Sequence, residues 1–190
     1  KAELYLGEFP KEIVKDAKLA VLSPGVPVDA GFVVYMKEQG IPVWGEIELA
    51  YHFAKGRVIA ITGTNGKTTT TSLVGQIMQE YFPSVYIVGN IGNPYTDAAS
   101  DMTENTVSVA EISSFQLETI EDFHPQVSAI LNITPDHLNR HHTMENYAAA
   151  KEAVTRNQTR DDFCILNYEN EYTRAFGSRC PAAVVYFSSV

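Results

Sequence analysis

Long apolar runs, internal repeats and surplus positive charge are what this 190-residue sequence lacks, and cysteine is scarce. No apolar run approaches the roughly 18 residues of a membrane-spanning helix, so no membrane partner is expected. No signal-peptide pattern opens the chain. The two cysteines, Cys164 and Cys180, have no metal-ligand spacing. Cys164 sits in the apolar run Phe163-Cys164-Ile165-Leu166 and is expected as a buried, reduced thiol. Nothing points to an oxidising compartment, so a cytoplasmic protein is expected. Lys and Arg number 14 against 23 Asp and Glu, a net charge of −9. That balance argues against nucleic acid as a partner, because phosphate backbones are met with Lys and Arg. A single nucleotide stays open, since it needs only one electropositive loop. The chain starts at Lys1 and stops at Val190 directly after a β-like run; both ends read as cut, and a piece of a longer protein is expected.

What is present is a loop. In Ile59-Ala60-Ile61-Thr62-Gly63-Thr64-Asn65-Gly66-Lys67-Thr68-Thr69 an apolar run ends at Gly63, and a helix opens after Gly66. Backbone N–H groups at a helix start bind anions, and glycine lets the main chain approach them closely. Gly63, Thr64, Asn65, Gly66, Lys67, Thr68 and Thr69 are therefore the candidate nucleotide-phosphate residues. Lys67 would reach the terminal phosphates, and the Thr68 hydroxyl would sit on Mg²⁺. The usual Walker pattern asks for glycine at position 61, where this chain has Ile61.

Strand and helix signals alternate around that loop. Leu19 to Leu22 and Ile41 to Trp44 read as short strands, with a helix over Phe32 to Gln39 and another over Glu46 to Ala54. Lys55-Gly56 then punctuates the chain, and a domain boundary is placed at about residue 55, dividing 1–55 from 56–190. Beyond it, Val85 to Val88, Thr106 to Ala110, Val127 to Leu131, Phe163 to Leu166 and Val184 to Phe187 are apolar and β-branched, as strands buried on both faces should be. Helices are expected over Thr69 to Phe82 and Glu145 to Thr159. This is an α/β fold with a mostly parallel, doubly wound sheet.

In such sheets ligands bind beyond the carboxyl ends of the strands. The polar clusters following the strands should therefore share one site: the phosphate loop, Gly89-Asn90-Ile91-Gly92-Asn93-Pro94, Glu111-Ile112-Ser113-Ser114-Phe115-Gln116, and Asn132-Ile133-Thr134-Pro135-Asp136-His137-Leu138-Asn139-Arg140-His141. Glu111 is either a Mg²⁺ ligand beside Thr68 or an ordinary strand-end carboxylate. His137 either caps its turn or, crowded by Asp136, Arg140 and His141, serves a metal or an anion. Asn90 lies in a substrate loop or a plain turn. Lys151, read alone, is a solvated helix lysine.

Those four segments, in that order and spacing, resemble the Mur ligases, which build the peptide stem of bacterial cell-wall precursors. The Ser113-Ser114-Phe115-Gln116-Leu117-Glu118 segment is most similar to the branch that adds D-glutamate to UDP-N-acetylmuramoyl-L-alanine. The resemblance extends to Ser23-Pro24-Gly25 and Gly45 to Leu49, so it spans nearly the whole chain. It implies a P-loop-like central ATPase domain preceded by the end of a Rossmann-like UDP-substrate domain. It also implies ATP-dependent ligation, in which a carboxylate becomes an acyl phosphate and an amine displaces phosphate.

By the same resemblance Lys67, His137 and Lys151 are catalytic. Thr68, Glu111, His137 and Lys151 serve two Mg²⁺ sites, with Lys151 carbamylated. Ser23, Asn90, Ser113, Gln116 and Arg140 face the UDP-muramoyl substrate. The full enzyme is expected as a monomer. The uridine loop, the adenine contacts and the D-glutamate domain fall outside these residues, so the piece alone is expected to be inactive. Two other readings stand: a folylpolyglutamate-synthase-like ligase, and a non-catalytic nucleotide-binding module.

Overall fold

The computed structural model describes residues 2–7 and 9–189. All paired strands run parallel, in two sheets. The smaller sheet pairs β1 (Ala20–Leu22) with β2 (Val43–Gly45), and α1 (Gly31–Glu38) crosses between them. Its own core gathers Val14, Leu22, Val33, Met36, Ile41 and Val43.

The larger sheet contains β3 (Arg57–Thr62), β4 (Val85–Gly89), β5 (Val107–Glu111), β6 (Val127–Ile130), β7 (Phe163–Asn167) and β8 (Ala183–Phe187), in the spatial order β4-β5-β3-β6-β7-β8. The phosphate-loop strand β3 is thus central, with β5 and β6 on either side. Helix α3 (Lys67–Tyr81) lays Val74 and Met78 against Ile61, Val107, Val109 and Ala129 on one face. Ile61 is buried in that layer, which is the physical reason no glycine stands at position 61: the strand is still in the core there, and the loop begins only at Gly63.

The opposite face is covered by α2 (Glu46–Phe53), α4 (Tyr95–Ala99) and α7 (Met144–Glu152), which contribute Ile47, Ala50, Tyr95, Tyr147 and Ala148 to the main core. Helix α2 is fastened by Glu48, which is fully buried and accepts from the backbone N–H groups of Glu121, Asp122 and Phe123. Cys164 and Cys180 are both buried free thiols.

The helix expected over Glu145 to Thr159 stops early. It passes through a 3-10 turn at Ala153–Thr155, because the buried Gln158 side chain is drawn away to Ser128 and to the carbonyls of Pro125 and Phe163. Three short helices, α5 (Ser114–Leu117), α6 (Leu138–His141) and α8 (Glu171–Phe176), form in stretches without an apolar stripe. Local caps start two of them: Ser113 and Gln116 form a capping box for α5, and Asn170 accepts from Thr173 N–H at the head of α8.

Candidate active site

The loop after β3 turns on two glycines. Gly63 has φ 146° and Gly66, the residue before α3, has φ 81°; both values favour glycine. The loop is stitched to the segment after β6. Thr64 N–H donates to the Asn132 carbonyl (2.9 Å). Asn65 N–H donates to Asn132 Oδ1 (2.8 Å), and Asn132 Nδ2 returns a bond to the Asn65 carbonyl (3.0 Å). Thr64 Oγ1 meets Thr134 N–H (3.0 Å) and the Tyr147 hydroxyl (3.2 Å). A loop tied at this many points holds its N–H groups in place before a ligand arrives.

Two lysines converge on one carbonyl. Lys67 Nζ donates to the Gly63 carbonyl (3.0 Å) and to that of Thr64 (2.8 Å). Lys151 Nζ, arriving from α7 on the other side, donates to the same Gly63 carbonyl at 2.8 Å. Lys151 is 2% exposed, and its Nζ lies 4.7 Å from the centre of the Tyr147 ring. Burial, and secondly the Lys67 ammonium, pull the Lys151 amine down to about 7, against an opposing pull from Asp136. A lysine read from sequence as solvated is one of the most enclosed groups in the molecule.

Glu111 ends β5 one strand from the loop, paired with Ile61. It is buried, and its Oε1 accepts from Asn90 Nδ2 at 2.7 Å. Its Oε2 is buried with no hydrogen-bond partner among the described residues. An unpaired carboxylate oxygen beside a phosphate loop has the donor chemistry of a Mg²⁺ ligand, since this ion prefers oxygen and takes few protein groups. Thr68 and Thr69 stand exposed on the first turn of α3. The Asn90 loop is held by Gly89, whose φ is 93° and where any Cβ would collide with the Glu111 carbonyl.

A cavity of about 230 Å³ opens between these elements, bordered by Lys67, Asn90, Ser113, His137 and Lys151, with Pro24, Phe115 and Tyr147 as its apolar walls. Four separate loops thus meet in one place. His137 is about half exposed, with φ 51°, and its Nε2 lies 3.4 Å from Asp136 Oδ2; its ring leans on Phe115 at 4.9 Å. His142 is exposed to solvent.

Three residues expected to face substrate do not line this cavity. Gln116 is buried, and its Oε1 accepts from Ser113 N–H (2.9 Å) and Ser113 Oγ (3.0 Å), so its amide oxygen is occupied in capping α5. Arg140 is drawn to Glu118, with Nη2 2.6 Å from Oε2. Ser23 is exposed beside a small crevice that it shares with Gln116.

Sequence reasoning set Asn132 at the head of a cluster expected at the site without seeing it as the loop's anchor, and it missed Phe115 as a wall. Asn132 had a signal: it directly follows a strand of the sheet, where that fold puts its site. Phe115 had none, because a phenylalanine within a loop motif looks like any core residue.

A family profile described as the Mur ligase middle domain matches residues 61–189. Over 189 residues the chain is 59% identical to a protein of Lachnospira eligens named UDP-N-acetylmuramoylalanine--D-glutamate ligase, covering 100% of this chain and 42% of that protein. A protein of the same name from Clostridioides difficile is 52% identical, with 96% and 41% covered. The chain therefore spans about two fifths of the length of these curated relatives. Among solved structures, the MurF ligase of Thermotoga maritima in complex with ADP superposes with a TM-score of 0.60 at 17% identity, over 92% of this chain and 49% of that one. A ligase of Neisseria meningitides acting on UDP-N-acetylmuramate and a tripeptide superposes with a TM-score of 0.63 at 15% identity, over 90% and 59%. These two share the fold.

Proposed function

Because this chain belongs to the Mur ligase family, we propose that it carries the phosphate-activating centre of an ATP-dependent ligase joining D-glutamate to UDP-N-acetylmuramoyl-L-alanine, a cytoplasmic step of peptidoglycan precursor synthesis. The observation that carries this reading is the meeting of Lys67 and Lys151 on the Gly63 carbonyl, at the rim of a cavity that Asn90, Ser113 and His137 also border. The high identity to ligases of that name supports the choice of substrates.

In this reading the N–H groups of Gly66 to Thr69 and the Lys67 ammonium hold the ATP phosphates, while the Thr64 and Asn65 N–H groups, taken up by Asn132, keep the loop in shape. Lys67 leaves its two carbonyl partners to do so, trading neutral acceptors for charged ones. Thr68 and Glu111 hold one Mg²⁺, and His137 with Lys151 holds a second. The metal would offset charge on the phosphoryl oxygens as the carboxylate is activated to an acyl phosphate. The remaining work is positioning: a tied loop and a walled cavity keep nucleophile and phosphate aligned and partly dry.

Lys151 fits the metal role only after a change of charge. An ammonium repels Mg²⁺, whereas a neutral amine can add CO₂ to its nitrogen, losing one proton and becoming an anionic carbamate. The enclosed position beside Lys67 favours the neutral amine, so carbamylation of Lys151 belongs to this proposal. The division near residue 55, into the tail of a UDP-substrate-binding domain and the front of an ATP-binding domain, is part of it too. The separate small core under β1 and β2 supports that division, while α2 sits in the larger core.

The test is phosphate release by the full-length protein containing these residues. Release that needs both UDP-N-acetylmuramoyl-L-alanine and D-glutamate supports the proposal. ATP binding without turnover would favour a nucleotide-binding module instead.

A further inference from the structure

The turn leaving β1 closes on itself, with Val26 N–H donating to the Ser23 carbonyl at 2.9 Å. Its Pro24 reaches the wall of the cavity beside Phe115. What fixes the turn there comes from far along the chain. Arg140 Nη2 donates to the Val26 carbonyl at 3.0 Å. The same guanidinium makes a two-point pair with Glu118, Nη2 to Oε2 at 2.6 Å and Nε to Oε1 at 3.3 Å. It lies over the Phe115 ring, 5.2 Å from the centroid. The two side chains are only 15% and 13% exposed, so solvent screens the pair little. His141 lies beside the pair, its Nδ1 3.7 Å from Glu118 Oε1 and its Nε2 3.0 Å from Ser114 Oγ.

We propose that Arg140 is a positioning residue that latches the Ser23–Val26 turn of the smaller sheet onto the Phe115 wall of the cavity. One planar fork binds a carboxylate at two points and still reaches a carbonyl; lysine, with a single ammonium, cannot span that geometry. The latch joins the smaller sheet's turn to α5 and α6, which border the site. The cavity's outer wall is therefore only as firm as this pair. The substrate consequence rests on the ligase reading above: the UDP-linked substrate, which must lie against both parts, should bind through the latched turn.

Arg140→Met and Arg140→Lys in the full-length protein test this. Amide hydrogen exchange at Val26, whose N–H is held inside the turn, should quicken at least tenfold in Arg140→Met and less in Arg140→Lys. Amides of β3 should stay at wild-type rates. KM for UDP-N-acetylmuramoyl-L-alanine should rise about tenfold, with KM for ATP and kcat moving far less. Unchanged exchange at Val26 would overturn the latch, and if KM still rose, Arg140 would be touching substrate directly. Faster exchange with an unchanged KM would overturn its role in positioning. If Arg140→Met does not fold, Glu118→Gln keeps the volume and one acceptor and should show the same pattern at smaller size. A wild-type protein that releases no phosphate would sink the ligase reading while leaving the exchange result to stand or fall alone.

Discussion

Lys151 should react as a neutral amine at a pH where ordinary lysines do not. Its amine is pulled down to about 7 by burial and by Lys67. An unperturbed lysine side chain has a pKa of about 10.4, so at pH 7.5 roughly 0.1% of it is neutral. At the same pH about three quarters of Lys151 would be neutral, from its value of about 7. The ratio of the two neutral fractions is then on the order of 600. Cyanate, a linear triatomic of nearly the shape of CO₂, adds to neutral amines and can be followed residue by residue by peptide mass spectrometry. Nα-acetyl-lysine in the same tube serves as the standard and cancels the pH dependence of the reagent itself. Below about pH 7 both amines gain neutral form in step, so the ratio of Lys151 labelling to standard should be flat. Above it Lys151 is already neutral while the standard keeps gaining, so the ratio should fall about tenfold per pH unit. Enclosure slows the reagent by an unknown constant factor, so the bend and not the height of the curve is the result. A ratio that stays flat to pH 9 would refute the argument, and with it the basis for carbamylation.

Two further outcomes follow from single buried groups. Glu111→Gln keeps the volume of the side chain but removes the charge from its unpaired Oε2; the Mg²⁺ concentration for half-maximal phosphate release should rise on the order of tenfold, and an unchanged Mg²⁺ requirement would take Glu111 out of the metal site. Glu48→Ala strips the acceptor from three backbone N–H groups at 121–123; urea denaturation should show a loss of about 3–5 kcal/mol, and a loss under about 1 kcal/mol would mean that water replaces the carboxylate.

How far the sequence reads depends on the distance over which each residue's partners lie. The sheet was legible because each strand advertises itself locally: Val107, Val109 and Ile61 need only be apolar and β-branched to be placed between two layers of helices. The phosphate loop was legible for the same reason, since Gly63 and Gly66 are demanded by their own backbone angles. Short helices such as α6 escaped notice because four residues show no period. The site's interior was the least legible. Whether Lys151 is solvated or enclosed is decided by Gly63, 88 residues earlier. Arg140 shows the same limit from the other side. Its place in an Asp-His-Leu-Asn-Arg motif suggested a ligand contact, but in the structure it pairs with Glu118 and also donates to the backbone carbonyl of Val26, 114 residues away. A main-chain carbonyl leaves no trace in residue identity, so no motif could have announced it. The contacts that hold this site together are largely of that kind: Lys67 and Lys151 on the Gly63 carbonyl, Asn132 on Asn65, Arg140 on Val26. Side chains here act chiefly by fixing backbone. A substitution that preserves charge but loses reach, such as lysine for Arg140, should therefore do more harm than its chemistry alone suggests.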